Sequence, residues 1–139
     1  MKISARNQLK GTITEVKEGA VNGVVAIAVG DDTIKADITM ESIKELDLVE
    51  GKEACAIIKA TNVMFATQKI AGISARNQLA GKVVAVKEGA VNGHVTIELA
   101  GGNRVSGSIT NEAIESLGLA EGQQAVAIIK ATDVIVGVE

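Results

Sequence analysis

The sequence has almost no aromatic residues. Phe65 is the one aromatic side chain among 139 residues, and tryptophan and tyrosine are absent. Proteins that bind single-stranded nucleic acid usually stack bases on aromatic rings, and this chain offers a single ring for such stacking. The formal net charge of −3 also provides no general attraction to nucleic acid or acidic membranes. We therefore expect neither a nucleic-acid partner nor a membrane partner.

Cysteine and histidine are also scarce, which limits the catalytic chemistry open to the chain. Cys55 is the one cysteine, and its apolar neighbours predict a buried structural thiol rather than a reactive one. His94 is the one histidine, and we expect it to be a solvent-facing strand residue. The sequence has no cysteine and histidine cluster with metal-ligand spacing, no phosphate-binding glycine loop and no nucleophile elbow. These absences predict a protein that is not an enzyme.

Long apolar runs are missing as well. No stretch approaches the ~20 consecutive apolar residues that a membrane-spanning helix needs. The first motif begins at Ile3, which leaves no room for a signal peptide before it. Both observations predict a cytoplasmic location.

The feature that is present is an internal duplication. The heptad Ile-Ser-Ala-Arg-Asn-Gln-Leu at residues 3–9 returns unchanged at residues 73–79. Two more segments also return, Lys17–Gly23 as Lys87–Gly93 and Ala56–Thr61 as Ala127–Thr132. We divide the chain into repeat 1 (1–66), a joint (67–72) and repeat 2 (73–139). Each repeat is small, yet 47% of the residues are hydrophobic, so the repeats should pack on each other or on another subunit.

Each repeat is predicted to contain five short strands, with one short helix before the fourth. In repeat 1 the strands are expected from Leu9 onward and at 24–29, 33–38, 54–59 and 62–66. Met40, Ile43 and Leu46 have helical spacing, and Thr39 stands at the N-cap position. The Asn22-Gly23 pair favours a tight hairpin turn. An OB-like barrel in each repeat fits this pattern, and so does an open five-stranded sheet with one helix.

The polar residues shared by both repeats are mostly hydrogen-bond donors. The heptad of repeat 1 carries the Ser4 hydroxyl, the Arg6 guanidinium and two amides, with no carboxylate. Such a set suits a tetrahedral dianion, which accepts hydrogen bonds and is repelled by negative charge. Each group also has an ordinary structural interpretation. The arginine could pair with a carboxylate, Thr39 could act only as a helix cap, and Lys59 could be a solvated charge.

These motifs also resemble those of a known family. Ser-Ala-Arg-Asn-Gln-Leu followed by Gly, a later Ile-Thr and a later Ala-Ile-Ile-Lys-Ala-Thr are similar to the Mop repeat of the molbindins, and two-repeat molbindins match nearly the whole chain. The resemblance implies a mainly β fold of two tandem OB-like five-stranded barrels, each with one short helix. It also implies a cytoplasmic homotrimer for the storage and homeostasis of molybdate, with tungstate as an analogue.

The resemblance further implies which residues bind the oxyanion, at sites between repeats and between subunits. From repeat 1 these are Ser4, Arg6, Thr39, Ser42, Lys59 and Ala60. From repeat 2 these are Ser74, Arg76, Thr110, Ala113, Lys130 and Ala131. A second class of axial sites would use Val21, Asn22, Val91 and Asn92. The metal is bound as its oxyanion, without direct metal ligands from the protein.

Repeat 2 departs from the pattern at one position. Ala113 stands where the pattern has serine, as at Ser42 in repeat 1, so we expect two classes of principal site, the weaker one built on Thr110, Ala113 and Lys130. Two rival functions remain at this point. The repeats could form a ligand-gated surface for another protein, or they could be OB-type nucleic-acid binders.

Overall fold

A computed structural model describes all residues of the chain, 1–139. The first half contains β1 (Asn7–Lys17), β2 (Asn22–Val29), β3 (Asp32–Thr39), α1 (Met40–Glu45), β4 (Glu53–Ile58) and β5 (Met64–Ala66). The second half contains β6 (Asn77–Glu88), β7 (Asn92–Leu99), β8 (Arg104–Thr110), α2 (Asn111–Leu117), β9 (Gln124–Ile129) and β10 (Ile135–Gly137). Short 3₁₀ turns at Ala60–Asn62 and Ala131–Asp133 precede β5 and β10. The predicted five strands and one helix in each half are confirmed.

The strands form two five-stranded antiparallel sheets that exchange their last strands. The first sheet has the order β10-β4-β1-β2-β3, and the second has the order β5-β9-β6-β7-β8. Phe65 of β5 therefore lies opposite Ala127 of β9, and Val136 of β10 lies opposite Ala56 of β4. The mainly β fold with two five-stranded units is confirmed. The expectation that each repeat forms its own sheet is wrong for β5 and β10, because each of them completes the sheet of the other repeat.

A single hydrophobic core joins the two sheets. It contains 27 buried residues, and both halves of the chain contribute to it. The inward-facing side chains of the central strands, such as Ile27 in β2 and Ile97 in β7, are fully buried. At roughly 25 cal/mol per Å² of apolar surface, this shared burial stabilises the two halves together. None of the helices has the length and apolar character needed to cross a membrane.

Gly23 illustrates a correction to the predicted hairpin. Asn22 and Gly23 already belong to β2, so they do not form the centre of the turn after β1. A Cβ at position 23 would lie 2.6 Å from Cδ1 of Ile43 and 3.0 Å from Sδ of Met40. Glycine is therefore needed here because α1 packs directly on the backbone of β2.

The thiol of Cys55 is buried on the outer face of β4, as predicted. Burial raises the pKa of the Cys55 thiol above its ordinary value, although Lys10 opposes this effect. A higher thiol pKa means less thiolate at neutral pH and so lower reactivity. The structure thus supports a packing role for Cys55.

Candidate oxyanion-binding site

The two heptads lie where the sheets meet, and a buried asparagine holds each of them in place. Nδ2 of Asn7 donates to the carbonyl oxygens of Ile58, at 3.1 Å, and Ser106, at 2.8 Å. Oδ1 of Asn7 accepts from the N–H of Ser106 at 2.8 Å. The amide thus pairs with the edge strand β8 as a backbone residue would. This contact fixes the heptad of repeat 1 against repeat 2.

Asn77 makes the equivalent contact in the opposite direction. Its Oδ1 accepts from the N–H of Lys35 at 2.7 Å, and its Nδ2 donates to the Lys35 carbonyl at 2.9 Å. Gln78 bonds both the N–H and the carbonyl of Ile70 in the joint, at 2.8 and 2.7 Å. The heptad amides of repeat 2 are therefore used for structure. We had expected them to contribute donors to an anion.

A pocket of about 370 Å³ opens beside the first heptad. Ser4 and Arg6 line it from the heptad, and Lys59 and Ala60 line it from the end of β4. The other lining residues are Ile3, Ala5, Thr61, His94, Ser108 and Ile135. Four of the predicted oxyanion-binding residues are therefore together in one pocket, against strands β7 and β8 of the other repeat.

The cations of this pocket have no carboxylate partner. The two salt bridges of the structure join the N-terminus to Glu139 and Arg104 to Glu98. Neither involves Arg6 or Lys59, and the same is true of Arg76 and Lys130. The interpretation of the heptad arginine as one half of an ion pair is therefore not supported. Unpaired guanidinium and ammonium groups remain free to bind an anion.

A larger cavity, of about 640 Å³, lies at the other face of the first sheet. Lys10 and Lys52 line it together with the carboxylates of Glu53 and Glu139. It contains none of the predicted site residues, and its two carboxylates disfavour an anion. The smaller pocket is therefore the better candidate for an anion, because of the charge of its walls rather than its size.

The N-terminus of α1 is largely occupied by the chain itself. Oγ1 of Thr39 accepts from the N–H of Ser42 at 3.1 Å and donates to Oγ of Ser42 at 3.0 Å. The carbonyl of Val21 accepts from the N–H of Met40 at 2.7 Å. Two of the first three amides of α1 are thus already bonded. These two amides are therefore not available to an anion, although the N-terminus of a helix commonly offers unpaired N–H donors.

The same arrangement occurs at the N-terminus of α2, except that Ala113 lacks the hydroxyl of Ser42. Oγ1 of Thr110 accepts from the N–H of Ala113 at 3.1 Å, and Val91 accepts from the N–H of Asn111 at 2.8 Å. The pocket beside the first heptad is not lined by the turn of Thr39 and Ser42, nor by the turn of Thr110 and Ala113. The structure of a single chain therefore does not bring the two predicted halves of a site together.

The predicted axial residues lie at the tips of two equivalent hairpins. Val21 is 75% exposed and Val91 is 72% exposed, which is unusual for large apolar side chains. Asn22 donates to the carboxylate of Asp37 at 3.1 Å. Nothing within one chain covers these tips.

Sequence reasoning missed three contributors. Asn7 and Asn77 are buried polar residues whose partners belong to the other repeat, and only their exact duplication pointed to a role. His94 is exposed in β7, as predicted, but it also lines the pocket. No group of three or more His, Cys, Asp or Glu side chains is placed to hold a metal ion.

The chain matches a known family model in both halves. A TOBE domain model matches residues 3–65 and residues 73–136. The molybdenum transport protein ModE of Azotobacter vinelandii is 40% identical over 139 residues, which are 99% of this chain and 52% of that protein. The molybdenum-pterin-binding protein MopA of Rhodobacter capsulatus is 41% identical over 137 residues, 97% of this chain and 52% of that protein. The chain thus spans about half the length of these relatives.

A solved structure is similar over its full length. A crystal structure of the cytoplasmic molybdate-binding protein ModG, with molybdate bound, superposes with a TM-score of 0.96. The two chains are 47% identical, and the match covers 100% of each. The two chains therefore share the same overall fold.

Proposed function

The chain belongs to the TOBE domain family, with one domain match in each half, and we propose that it binds molybdate in the pocket beside the first heptad and at the equivalent place beside the second. Tungstate is expected to bind in the same way. The observation that carries this proposal is the grouping of Ser4, Arg6 and Lys59 around one pocket without a carboxylate partner. Hydroxyl, guanidinium and ammonium groups are the donors that a tetrahedral dianion requires. The likeness to a molybdate-bound protein supports the choice of ligand.

We also propose that another subunit completes each site. Ile3 and Ile135, on the rim of the pocket, are 45% and 48% exposed. Ile73 and Met64, at the equivalent positions on the other side, are 43% and 45% exposed. Such apolar rims favour burial against a second copy. The Thr39 and Ser42 turn, or the Thr110 and Ala113 turn, would then reach the anion from the neighbouring chain.

The assembly proposed is a homotrimer, following the resemblance to the molbindins. The exposed tips of Val21 and Val91, with Asn22 and Asn92, would meet near its axis and form a weaker second class of anion site. The proposed role is storage and homeostasis of the oxyanion in the cytoplasm. A binding role, rather than an enzymatic one, is supported by the relatives named above, which include binding proteins.

Removal of the two heptad arginines tests the proposed function. Arg6→Ala combined with Arg76→Ala should clearly reduce the molybdenum retained after ultrafiltration, when free molybdate is kept near or below the Kd of the parent. Loss of a hydrogen-bonded cation weakens an anion site roughly tenfold or more. Elemental analysis of the retained protein measures the effect.

Arg104→Ala provides the matched control, because Arg104 pairs with Glu98 and does not line the pocket. It should retain as much molybdenum as the parent. If the double variant also retains the parent amount, the pocket beside the heptad is not the binding site.

A further inference from the structure

We propose that the two pockets between the halves differ in strength, and that two pairs of strand residues set the difference. His94 and Ser108 make the pocket beside the first heptad the stronger site. Val24 and Asp37 make the pocket beside the second heptad the weaker site. This inference rests on the proposed function, since it assigns a strength to each of its two sites.

The register of the strands shows that these pairs are equivalent. His94 of β7 lies opposite Ser108 of β8, and Val24 of β2 lies opposite Asp37 of β3. Both pairs lie two residue pairs in from the open end of their hairpin, where the last pair is Asn92 with Thr110 or Asn22 with Thr39. Each pair thus occupies the same place in its own sheet.

The two heptads approach these pairs in the same way. Asn7 bonds the backbone of Ser106, two residues before Ser108 on β8. Asn77 bonds the backbone of Lys35, two residues before Asp37 on β3. Side chains two residues apart on a strand share a face, so Ser108 shares the face of Ser106 and Asp37 shares the face of Lys35. Asp37 is therefore placed relative to the second heptad as Ser108 is placed relative to the first. Ser108 lines the first pocket, so Asp37 takes the matching position in the second.

The chemistry of the two positions is opposite for an anion. The first pocket has a hydroxyl from Ser108 and an imidazole from His94, both of which can donate a hydrogen bond. The second has an isopropyl group from Val24 and a carboxylate from Asp37. An ionised carboxylate only accepts hydrogen bonds, and it repels a dianion.

Neighbouring groups reduce this repulsion without removing it. The carboxylate of Asp37 accepts one hydrogen bond, from Nδ2 of Asn22 at 3.1 Å. Lys35 brings a positive charge to the same face of β3, where β8 has Ser106. Asp37 makes no salt bridge within 4.0 Å. Its negative charge therefore stays available to oppose an anion beside Ser74 and Arg76.

Reciprocal exchange of the two pairs tests this inference. The double variant Val24→His and Asp37→Ser should tighten molybdate binding at the weaker class of site by about tenfold or more. The affinities of the two classes should then become similar. His94→Val with Ser108→Asp should weaken the stronger class by a similar factor. Calorimetric titration of the full chain with sodium molybdate, at fixed pH and salt, measures both classes.

Two further variants keep the test decisive. Asp37→Ser alone removes the carboxylate from a half-exposed position, so it should fold even if a double variant does not, and it should tighten the weaker class by itself. Glu50→Ser removes one negative charge from an exposed loop outside the pocket, and it should leave both classes unchanged. If Glu50→Ser tightened binding as much as Asp37→Ser does, the net charge of the protein, rather than the pocket, would set the affinity.

The outcomes separate this inference from the proposed function. If the parent binds no molybdate, the proposed function fails and the inference fails with it. If the parent binds molybdate but Asp37→Ser and both double variants titrate like the parent, the proposed function stands and the inference is overturned. Tightening by Asp37→Ser together with weakening by His94→Val and Ser108→Asp would establish it.

Discussion

Asn7 shows how one side chain can join two halves of a protein. It is 2% exposed, and its amide replaces a backbone partner for the edge strand β8. An edge strand with free N–H and carbonyl groups invites pairing with another chain. The amide satisfies both groups of Ser106 and so closes this part of the edge.

Asn7→Ala should lower the free energy of unfolding by about 1–3 kcal/mol, because it leaves the partly buried N–H and carbonyl groups of Ser106 without this partner. Urea denaturation followed by circular dichroism measures the change. Gln8→Ala is the control, since the Gln8 side chain is exposed and bonds only nearby carbonyls. Equal stability of the Asn7 variant and the parent would show that the contact contributes nothing.

The sequence predicted which residues have suitable chemistry for the site better than it predicted which residues they contact. The donor-only composition of the heptad indicated Ser4 and Arg6, the resemblance to the Mop repeat added Lys59, and the three residues line one pocket. Asn7 was not recognised as structural, because its partner Ser106 is 99 positions away. A hydrogen bond over such a separation leaves no periodic signal in the sequence. His94 and Asp37 were missed because each stands on a strand of one repeat beside the heptad of the other, and the sequence does not show this neighbourhood.

Asp32 gives the structure a pH-dependent contribution. Burial raises the pKa of Asp32 above its ordinary value of 3.8, Lys69 opposes this, and Asp31 adds to it. The folded state therefore favours the protonated carboxyl. The stabilising contribution is complete below the pKa of the unfolded chain, and it is lost as the pH rises through the higher pKa of the folded state.

Asp32→Asn should therefore be more stable than the parent at pH 7, by up to about 0.5 kcal/mol for this partly exposed group. Asparagine fits the position, because Asn103 stands at the equivalent place in repeat 2. The advantage should shrink as the pH falls to 4 and below. Thermal unfolding of both proteins between pH 3.5 and 7 checks this. An advantage that grows on acidification would contradict the sign of the shift.

The strands β5 and β10 are the elements that bind the two halves together. The Phe65 ring of β5 fills the space that a side chain at Gly107 of β8 would need, and a Cβ there would lie 2.9 Å from Cζ of Phe65. In the other sheet the equivalent positions hold Val136 and Ala36. A large residue thus faces glycine in one sheet, and a smaller residue faces alanine in the other.

Gly107→Ala should destabilise the protein by about 1–3 kcal/mol, because the added methyl group overpacks against Phe65. Adding Phe65→Val should recover part of this loss, since the pair then copies Val136 and Ala36. A double-mutant cycle measures the coupling between the two positions. Strictly additive effects would contradict the placement of β5 on the second sheet.

The strands were predicted from alternation, but their exchange was not. The pattern at Leu9, Gly11 and Ile13 located β1, and similar patterns located the other long strands. A strand of three residues such as Met64–Ala66 has too few positions to specify a partner sheet. Because both repeats carry nearly the same fourth strand, β5 could pair with either copy. The match of Phe65 to Gly107, where the other sheet has Ala36, favours the observed pairing.

The whole molecule behaves as one unit because its core is shared. A fragment of residues 1–72 contains all the strands of one repeat, but its first sheet lacks β10 and its β5 lacks β9. We expect two copies of this fragment to exchange β5 with each other. Sedimentation should show a dimer or a multiple of it, at concentrations where the fragment is folded. A folded monomer would contradict the need for exchange.

Discrimination between anions tests most directly the conclusion that the pockets are built for molybdate. Calorimetric titration of the full chain with molybdate, tungstate, sulfate and phosphate should give tight binding for the first two only. Sulfate is smaller, so donors held by Ser4, Arg6 and Lys59 cannot all reach its oxygens. At neutral pH part of the phosphate carries a proton, and the pocket beside the first heptad has no carboxylate to accept a hydrogen bond from it. Sulfate binding as tightly as molybdate would contradict this conclusion.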